Sequence, residues 1–290
     1  MTFPTRRVLK WVAMVLAGVV AVAFIAAISV YALSARILNR TYDVPAGEVA
    51  VPGDSASVAE GGRLATLRGC YGCHHPGLEG GVFVDDPMLA RLVAPNLTRA
   101  VRQYPLPDLV RILRHGVYPN GRSVIGMPSE MFNHLADSDL GKIIAAIRAE
   151  PETAGPSREF RPGPLGRLGI VMKQFQPAAA MIDHAVSPPA EPPAEELAFG
   201  RYLAMTVCSE CHGLDLGGQP GDEKGLPPDL RIAAGYAPDA FVKLMRTGIA
   251  LGEREIGLMT EVARGRFAYF ADAEVGALHA YLKTLPDSGR

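Results

Sequence analysis

"CYGCHH", residues 70–75, places two cysteines and two histidines in six positions, and the pattern returns once as "CSECH", residues 208–212. The chain has four cysteines in all, so whatever chemistry these stretches perform accounts for every thiol.

The likeness extends beyond the motifs. Gly62-Arg63 precedes the first at the distance at which Gly200-Arg201 precedes the second, and "PGLEGG" (76–81) echoes "GLDLGG" (213–218). "LVRILRHG" (109–116) matches "FVKLMRTG" (241–248) at an offset of 132, which also pairs Arg122 with Arg254 and Met127 with Met259. Each copy closes on an acid-started stretch, "DSDLGKIIAAIRAE" and "DAEVGALHAYLKTL". So many matched features in one order indicate a duplicated module of about 95 residues, not a chance likeness of glycine-rich loops.

Within a copy the expected structure is helical. Leu140, Ile143, Ile144 and Ile147 follow the spacing of one buried helix face. Asp137 and Asp272 stand where an N-cap is expected. Further helices are expected over 57–68 and 194–206, running straight into the cysteines, and no sustained alternation argues for strands. Residues 151–193 hold nine prolines and read as a linker, in which "LGRLGIVMKQF" (165–175) can form a short docking helix.

From Trp11 to Leu33 run 23 residues without a charge. That exceeds the roughly 20 needed to span a bilayer and the about 7–15 of a secretory leader's apolar region. An uncleaved anchor is therefore expected, although "ALS" (32–34) marks where a cleaved leader would end. Arg6, Arg7 and Lys10 before the run, against Arg36 and Arg40 after it, bias the N-terminus to the cytoplasm. A net charge of −1 argues against a nucleic-acid partner.

Three chemistries use Cys-x-x-Cys. A four-cysteine zinc site would join pairs 138 residues apart and leave His74 and His212 idle. A redox dithiol needs a βαβ setting, which is absent from the pattern. Covalent haem attachment uses every cysteine and gives the histidines a purpose: Cys70 and Cys73, then Cys208 and Cys211, form thioethers, with His74 and His212 as iron ligands. It also takes place outside the cytoplasm, as the anchor would require. Two haem c groups are thus expected, and His75 is left as a surface histidine.

A haem that only carries electrons commonly has methionine opposite histidine. In the first copy the candidates are Met127, Met131 and His134. In the second, Met259 is the only methionine after Met245, which falls in a helical stretch. The shared offset selects Met127 and Met259. Arg122 and Arg254, a few residues earlier, either neutralise haem propionates or are solvated loop charges.

At this point the chain resembles the membrane-anchored bacterial cytochromes c built from tandem class I-like domains, among them the cytochrome subunits of periplasmic alcohol and gluconate dehydrogenases. The residues that carry the resemblance are both Cys-x-x-Cys-His motifs, "RTYDVP" (40–45), "APNLT" (94–98), "LRHGVYPNGR" (113–122), "MPSEMFNHLADSDL" (127–140), "PLGRLGI" (164–170) and "VARGRFAYFADAEVGALHAYL" (262–282). The resemblance implies an all-α fold with His74/Met127 and His212/Met259 as axial pairs. It suggests an anchor over 1–37, a tether over 38–53, cytochrome c domains over 54–152 and 191–290, and a Pro-rich linker over 153–190. The chain departs in having two motifs where those subunits have three, and in lacking a proline after Met259.

The expected function is electron transfer on the periplasmic face of the cytoplasmic membrane. Residues 11–33 would lie in lipid, a dehydrogenase or quinol-oxidising complex would be the donor, and an oxidase or soluble carrier the acceptor. The rival is a dihaem enzyme, a peroxidase or a sulfur-compound dehydrogenase, with one unusual haem site.

Overall fold

Helix α1 (Thr5–Leu38) carries the uncharged run and is long and apolar enough to cross a membrane. The computed structural model describes residues 5–219 and 226–286; residues 1–4, 220–225 and 287–290, which the expected domain limits include, lie outside the described residues. After α1 the first half follows as α2 (Ser55–Leu67), α3 (Cys70–His74), α4 (Leu97–Gln103), α5 (Leu106–His115), α6 (Ser129–Phe132) and α7 (Asp137–Ala149). Helix α8 (Pro164–Val171) follows in the segment that connects the halves in sequence. The second half contains α9 (Glu196–Leu203), α10 (Ser209–His212), α11 (Pro238–Thr247), α12 (Leu258–Gly265) and α13 (Asp272–Leu282).

In each half the first helix crosses the last, α2 on α7 and α9 on α13, and a glycine makes the close approach. A Cβ on Gly61 would collide with the Lys142 carbonyl, and one on Gly200 with that of Ala277. The equivalent of Gly200 is therefore Gly61, not the Gly62 that the sequence offset selects. The cause lies downstream. Helix α2 stops at Leu67 and turns through left-handed Gly69 (φ 75°), whereas α9 continues through a π turn, Ala204–Cys208, and reaches its cysteine one residue sooner. Gly61→Ala is expected to lower stability by about 1–3 kcal/mol through overpacking. Gly62→Ala, with open space at its Cβ, should instead raise it by about 0.5–1 kcal/mol. Paired urea melts would check both signs.

The expected apolar face of α7 is buried, with Leu140, Ile143, Ile144 and Ile147 each at most 4% exposed. The caps differ by one residue from expectation. Ala136 and Ala271 occupy the N-cap positions, and Asp137 and Asp272 stand inside the first turn. There the carboxylates favour the positive end of the helix dipole while pairing with Arg114 (2.6 Å) and Arg246 (2.7 Å).

The all-α expectation needs correction. The chain is mostly helical, at 55%, but β1 (Gly81–Asp86), β2 (Ala90–Ala94) and β3 (Glu159–Pro162) form an antiparallel sheet in that order. A two-residue ladder of β4 (Ile249–Ala250) and β5 (Arg254–Glu255) is found in the second half. Strand β1 is largely exposed and β3 ends on a proline, so neither shows the half-buried alternation that marks a strand in sequence. Strand β3 also shows that the Pro-rich segment folds back over the first half. Asn96 fixes it further, donating from Nδ2 to the Thr153 carbonyl (2.7 Å) and from its backbone N–H to that of Pro156 (3.1 Å). The docking helix expected inside that segment is α8, packed on α1.

The halves share one apolar core, to which Leu67, Phe132 and Leu140 contribute from one side and Val207, Phe267 and Leu278 from the other. Their polar contacts are reciprocal. Arg63 of α2 donates twice to Glu274 of α13 (2.7 and 2.9 Å), and Tyr202 of α9 donates to Asp139 of α7 (2.6 Å). With Gly61 matched to Gly200, Arg63 and Tyr202 are equivalent positions, as are Asp139 and Glu274. The two halves therefore meet about an approximate twofold axis.

Candidate functional site

Left-handed Gly69 turns the chain so that α3 starts at Cys70, and a single helical turn sets Cys73 on the same face. His74 is 8% exposed and its Nδ1 lies 2.8 Å from the Pro95 carbonyl; His212 is 8% exposed and its Nδ1 lies 2.8 Å from that of Pro228. A ring whose Nδ1–H is given to a carbonyl presents Nε2 as a ligand, oriented and neutral. Burial holds both imidazoles below the usual histidine pKa, which favours that neutral form.

The loops after the motifs match bond for bond. Gly80 N–H donates to the His74 carbonyl and Gly218 N–H to that of His212, both at 2.9 Å. Leu97 N–H donates to Leu78 (2.8 Å) and Leu230 N–H to Leu216 (2.9 Å). Leu78 and Leu216 are both left-handed, at φ 55° and 56°, and both are buried. The echo of "PGLEGG" in "GLDLGG" is thus one cradle built twice.

All four cysteines are free thiols. Burial pushes Cys70 up to about 11 and Cys208 up to about 12. Redox-active Cys-x-x-Cys pairs shift the opposite way.

A cavity of about 620 Å³ opens in the first half, lined by Cys70, Cys73, His74 and Met127 together with Leu109, Ile112, Leu140 and Ile144. That size lies within the range of cofactor pockets. Met131, the competing methionine, is fully buried in the core and His134 is off the lining. In the second half Met259 is the second residue of α12, half-buried against the shared core, while Met245 is 3% exposed and packs inside it.

Arg122 is exposed and off the cavity wall, and Arg254 is exposed with its Nε donating to the Leu251 carbonyl (3.2 Å). The cations on the cavity wall are Arg68, Arg99 and Arg158. Arg68 has a buried guanidinium whose Nε and Nη1 lack partners, and Arg158 lies 3.8 Å over the Tyr118 ring. Sequence reading missed both. Arg158 belongs to the Pro-rich segment, one residue before β3, and nothing in its sequence setting distinguishes it from a solvated arginine. Glu210, inside the second motif, also reaches the first cavity and pairs with Arg266 (2.9 Å), whose guanidinium donates to the Leu67 carbonyl as well. The two motifs therefore sit close together across the interface.

His75 has φ 66° and ψ 165°, a region nearly restricted to glycine, and Gly213 occupies it in the second half. Its ring rests on Gly81, away from the cavity. Relief of that backbone strain, of order 1–3 kcal/mol, is the expected gain from His75→Gly, measurable as a higher urea midpoint with an unchanged visible spectrum.

Unpaired, neutral thiols, oriented imidazoles, an apolar cavity of cofactor size and a buried guanidinium with two unpartnered nitrogens fit covalently attached haem. The comparisons with known proteins agree. Residues 197–286 match the family model described as cytochrome c. The chain is 26% identical over 264 residues to the fructose dehydrogenase cytochrome subunit of Gluconobacter japonicus, covering 79% of this chain and 53% of that protein. It is 25% identical over 275 residues to the alcohol dehydrogenase (quinone) cytochrome c subunit of Gluconacetobacter polyoxogenes, covering 80% and 57%. A third relative is the gluconate 2-dehydrogenase cytochrome c subunit of Pantoea cypripedii, 24% identical over 277 residues, covering 80% and 60%. The chain thus spans little more than half the length of these curated relatives. It contains a cytochrome c domain, which implies covalently bound haem c, and it is homologous to cytochrome subunits of dehydrogenases.

Proposed function

We propose that this chain is a membrane-anchored dihaem c-type cytochrome that carries electrons on the periplasmic side of the cytoplasmic membrane. The observation that carries the reading is the repeated cradle: two Cys-x-x-Cys-His motifs whose histidines and following loops make the same hydrogen bonds. Cys70, Cys73, Cys208 and Cys211 would hold two haems, and His74, Met127, His212 and Met259 would ligate the irons. The haem supplies the one-electron chemistry; the chain orients the imidazoles and keeps water off the apolar walls. The relatives' names support a dehydrogenase as donor; the acceptor in this reading is an oxidase or soluble carrier. The domain limits read from sequence are retained, with the 153–190 segment serving also as a wall of the first site.

Retention of α1 is supported by Ser34, which is fully buried and accepts from Arg167 of α8 (3.0 Å). One observation favours the rival reading, a dihaem peroxidase or sulfur-compound dehydrogenase: Met259 begins a helix, where Met127 is braced in a loop by Pro128.

Intact mass should show two haem additions on the full chain and one on Cys208→Ala/Cys211→Ala. Magnetic circular dichroism and EPR of the oxidised protein should show two low-spin His/Met haems. A single addition on the parent chain would overturn the dihaem reading, and a high-spin second haem would favour the enzyme.

A further inference from the structure

Helix α8 has two dissimilar faces. Ile170 is 1% exposed and Arg167 reaches α1, donating to Ser34 Oγ and lying 4.5 Å over the Tyr31 ring. The opposite face carries Leu165, Leu168 and Met172 at the i, i+3, i+7 spacing, 49%, 39% and 59% exposed. The tip between β1 and β2 is tied to the same helix. Gly163 N–H donates to the Leu89 carbonyl and Leu165 N–H to that of Met88, both at 2.9 Å. Met88 and Leu89 are themselves 51% and 50% exposed. Five large apolar side chains thus form one surface on the first half.

The place of that surface is fixed by α1. The uncharged run Trp11–Leu33 rises about 34 Å as a helix, against a hydrocarbon core of about 30 Å. Tyr31 and Ser34 therefore stand at the outer boundary of the span, and Arg167 pins α8 to both. Arg36, just past the uncharged run, and Lys173, next to Met172 in sequence, are both exposed, as suits lipid phosphates. An in-plane amphipathic helix sinks its apolar face into the boundary of headgroups and acyl chains.

We propose that α8 and the β1–β2 tip rest in the outer leaflet of the bilayer that α1 spans, as a second membrane contact that sets the tilt of the first half. The inference rests on the reading of α1 as a retained anchor. Strand β2 runs from this tip into the cavity wall, through Leu92, Val93 and Ala94. The contact therefore holds the first site close to the membrane surface.

The test uses the full haem-loaded chain, one copy per nanodisc of phosphatidylcholine and phosphatidylglycerol. The native thiols are consumed by haem, so the unsubstituted chain is the blank and Met172→Cys, Met88→Cys and Ser187→Cys each add one thiol. With a water-soluble maleimide, the first two should react at least about tenfold more slowly than the third, which stands in open solvent. Adding Leu165→Glu and Leu168→Glu to Met88→Cys should bring its rate up toward that of Ser187→Cys. Equal rates at all three positions, in discs that retain the chain through an alkaline carbonate wash, would overturn the contact and leave the anchor standing. Loss of the chain in that wash would overturn the anchor and the contact together. Protection at Met172→Cys and Met88→Cys that appears only with two copies per disc would assign the surface to a second chain and overturn the proposal.

Discussion

Met127→His is expected to lower the midpoint potential of one haem by a few tenths of a volt, within the roughly 0.8 V over which axial ligands move haem potentials. Methionine is a soft ligand that stabilises ferrous iron, whereas a second imidazole favours the ferric state, so the sign is downward. The geometry makes the exchange selective. Met127 lines the cavity beside Cys70, Cys73 and His74, and it lies outside the regular part of α6, so a new imidazole can be accommodated without breaking a helix. Met131 supplies the control. It is fully buried in the core, and Met131→Leu conserves volume, so it should cost under about 1.5 kcal/mol and leave both potentials unchanged. A redox titration followed in the visible, with the methionine-to-iron charge-transfer band read in the ferric state, separates the outcomes. If both potentials and that band survive Met127→His, another side chain is the ligand.

The parts of this arrangement that sequence made legible are those in which chemistry constrains residue type and spacing together. Thioether attachment demands two cysteines at a fixed separation with a histidine next to them, and left-handed Gly80 and Gly218, where a Cβ would collide with the Ala94 and Pro227 carbonyls, demand the glycines of the echo. Features that depend on three-dimensional proximity were not legible. Arg158 and Arg68 reach the cavity from a Pro-rich segment and from a helix end, and neither position differs in sequence from a solvated arginine. Arg122 and Arg254 share an offset because the two halves share a turn there, closed by Val117 on Ser123 in the first and by Ile249 on Glu255 in the second. The slip from Gly62 to Gly61 has a comparable origin. An offset counted back from the cysteines assumes equal lengths of helix, while the two halves enter their motifs through different turns. The sheet escaped notice because β2 finds one of its partners about 70 residues away, in residues whose prolines read as linker.

The interface between the halves yields the largest expected loss of stability, through Asp139→Ala. Asp139 is 5% exposed, accepts from the Tyr202 hydroxyl at 2.6 Å, and lies 3.4 Å from Nη2 of Arg68. The Arg68 side chain is wholly buried, and two of its nitrogens already lack partners. Removing the carboxylate would leave a buried charge with nothing opposite it, a change that typically costs about 3–5 kcal/mol. For a chain of this size that amounts to a fall in melting temperature of roughly 6–20 °C. Tyr202→Phe keeps the ion pair and loses the hydroxyl that also serves the Ala136 N–H, so about 1–3 kcal/mol is expected. The reciprocal contact is wetter, because Arg63 keeps 26% of its side chain exposed. Glu274→Ala should accordingly cost only about 1 kcal/mol. Replacing both members, as Arg68→Met/Asp139→Leu, removes the unpaired charge and should recover most of the Asp139→Ala loss, since apolar replacements of buried ion pairs are often neutral or stabilising. If the double variant is instead as unstable as the single one, the loss comes from packing and hydrogen bonding at Asp139, and Arg68 is not the residue that makes this interface depend on a carboxylate.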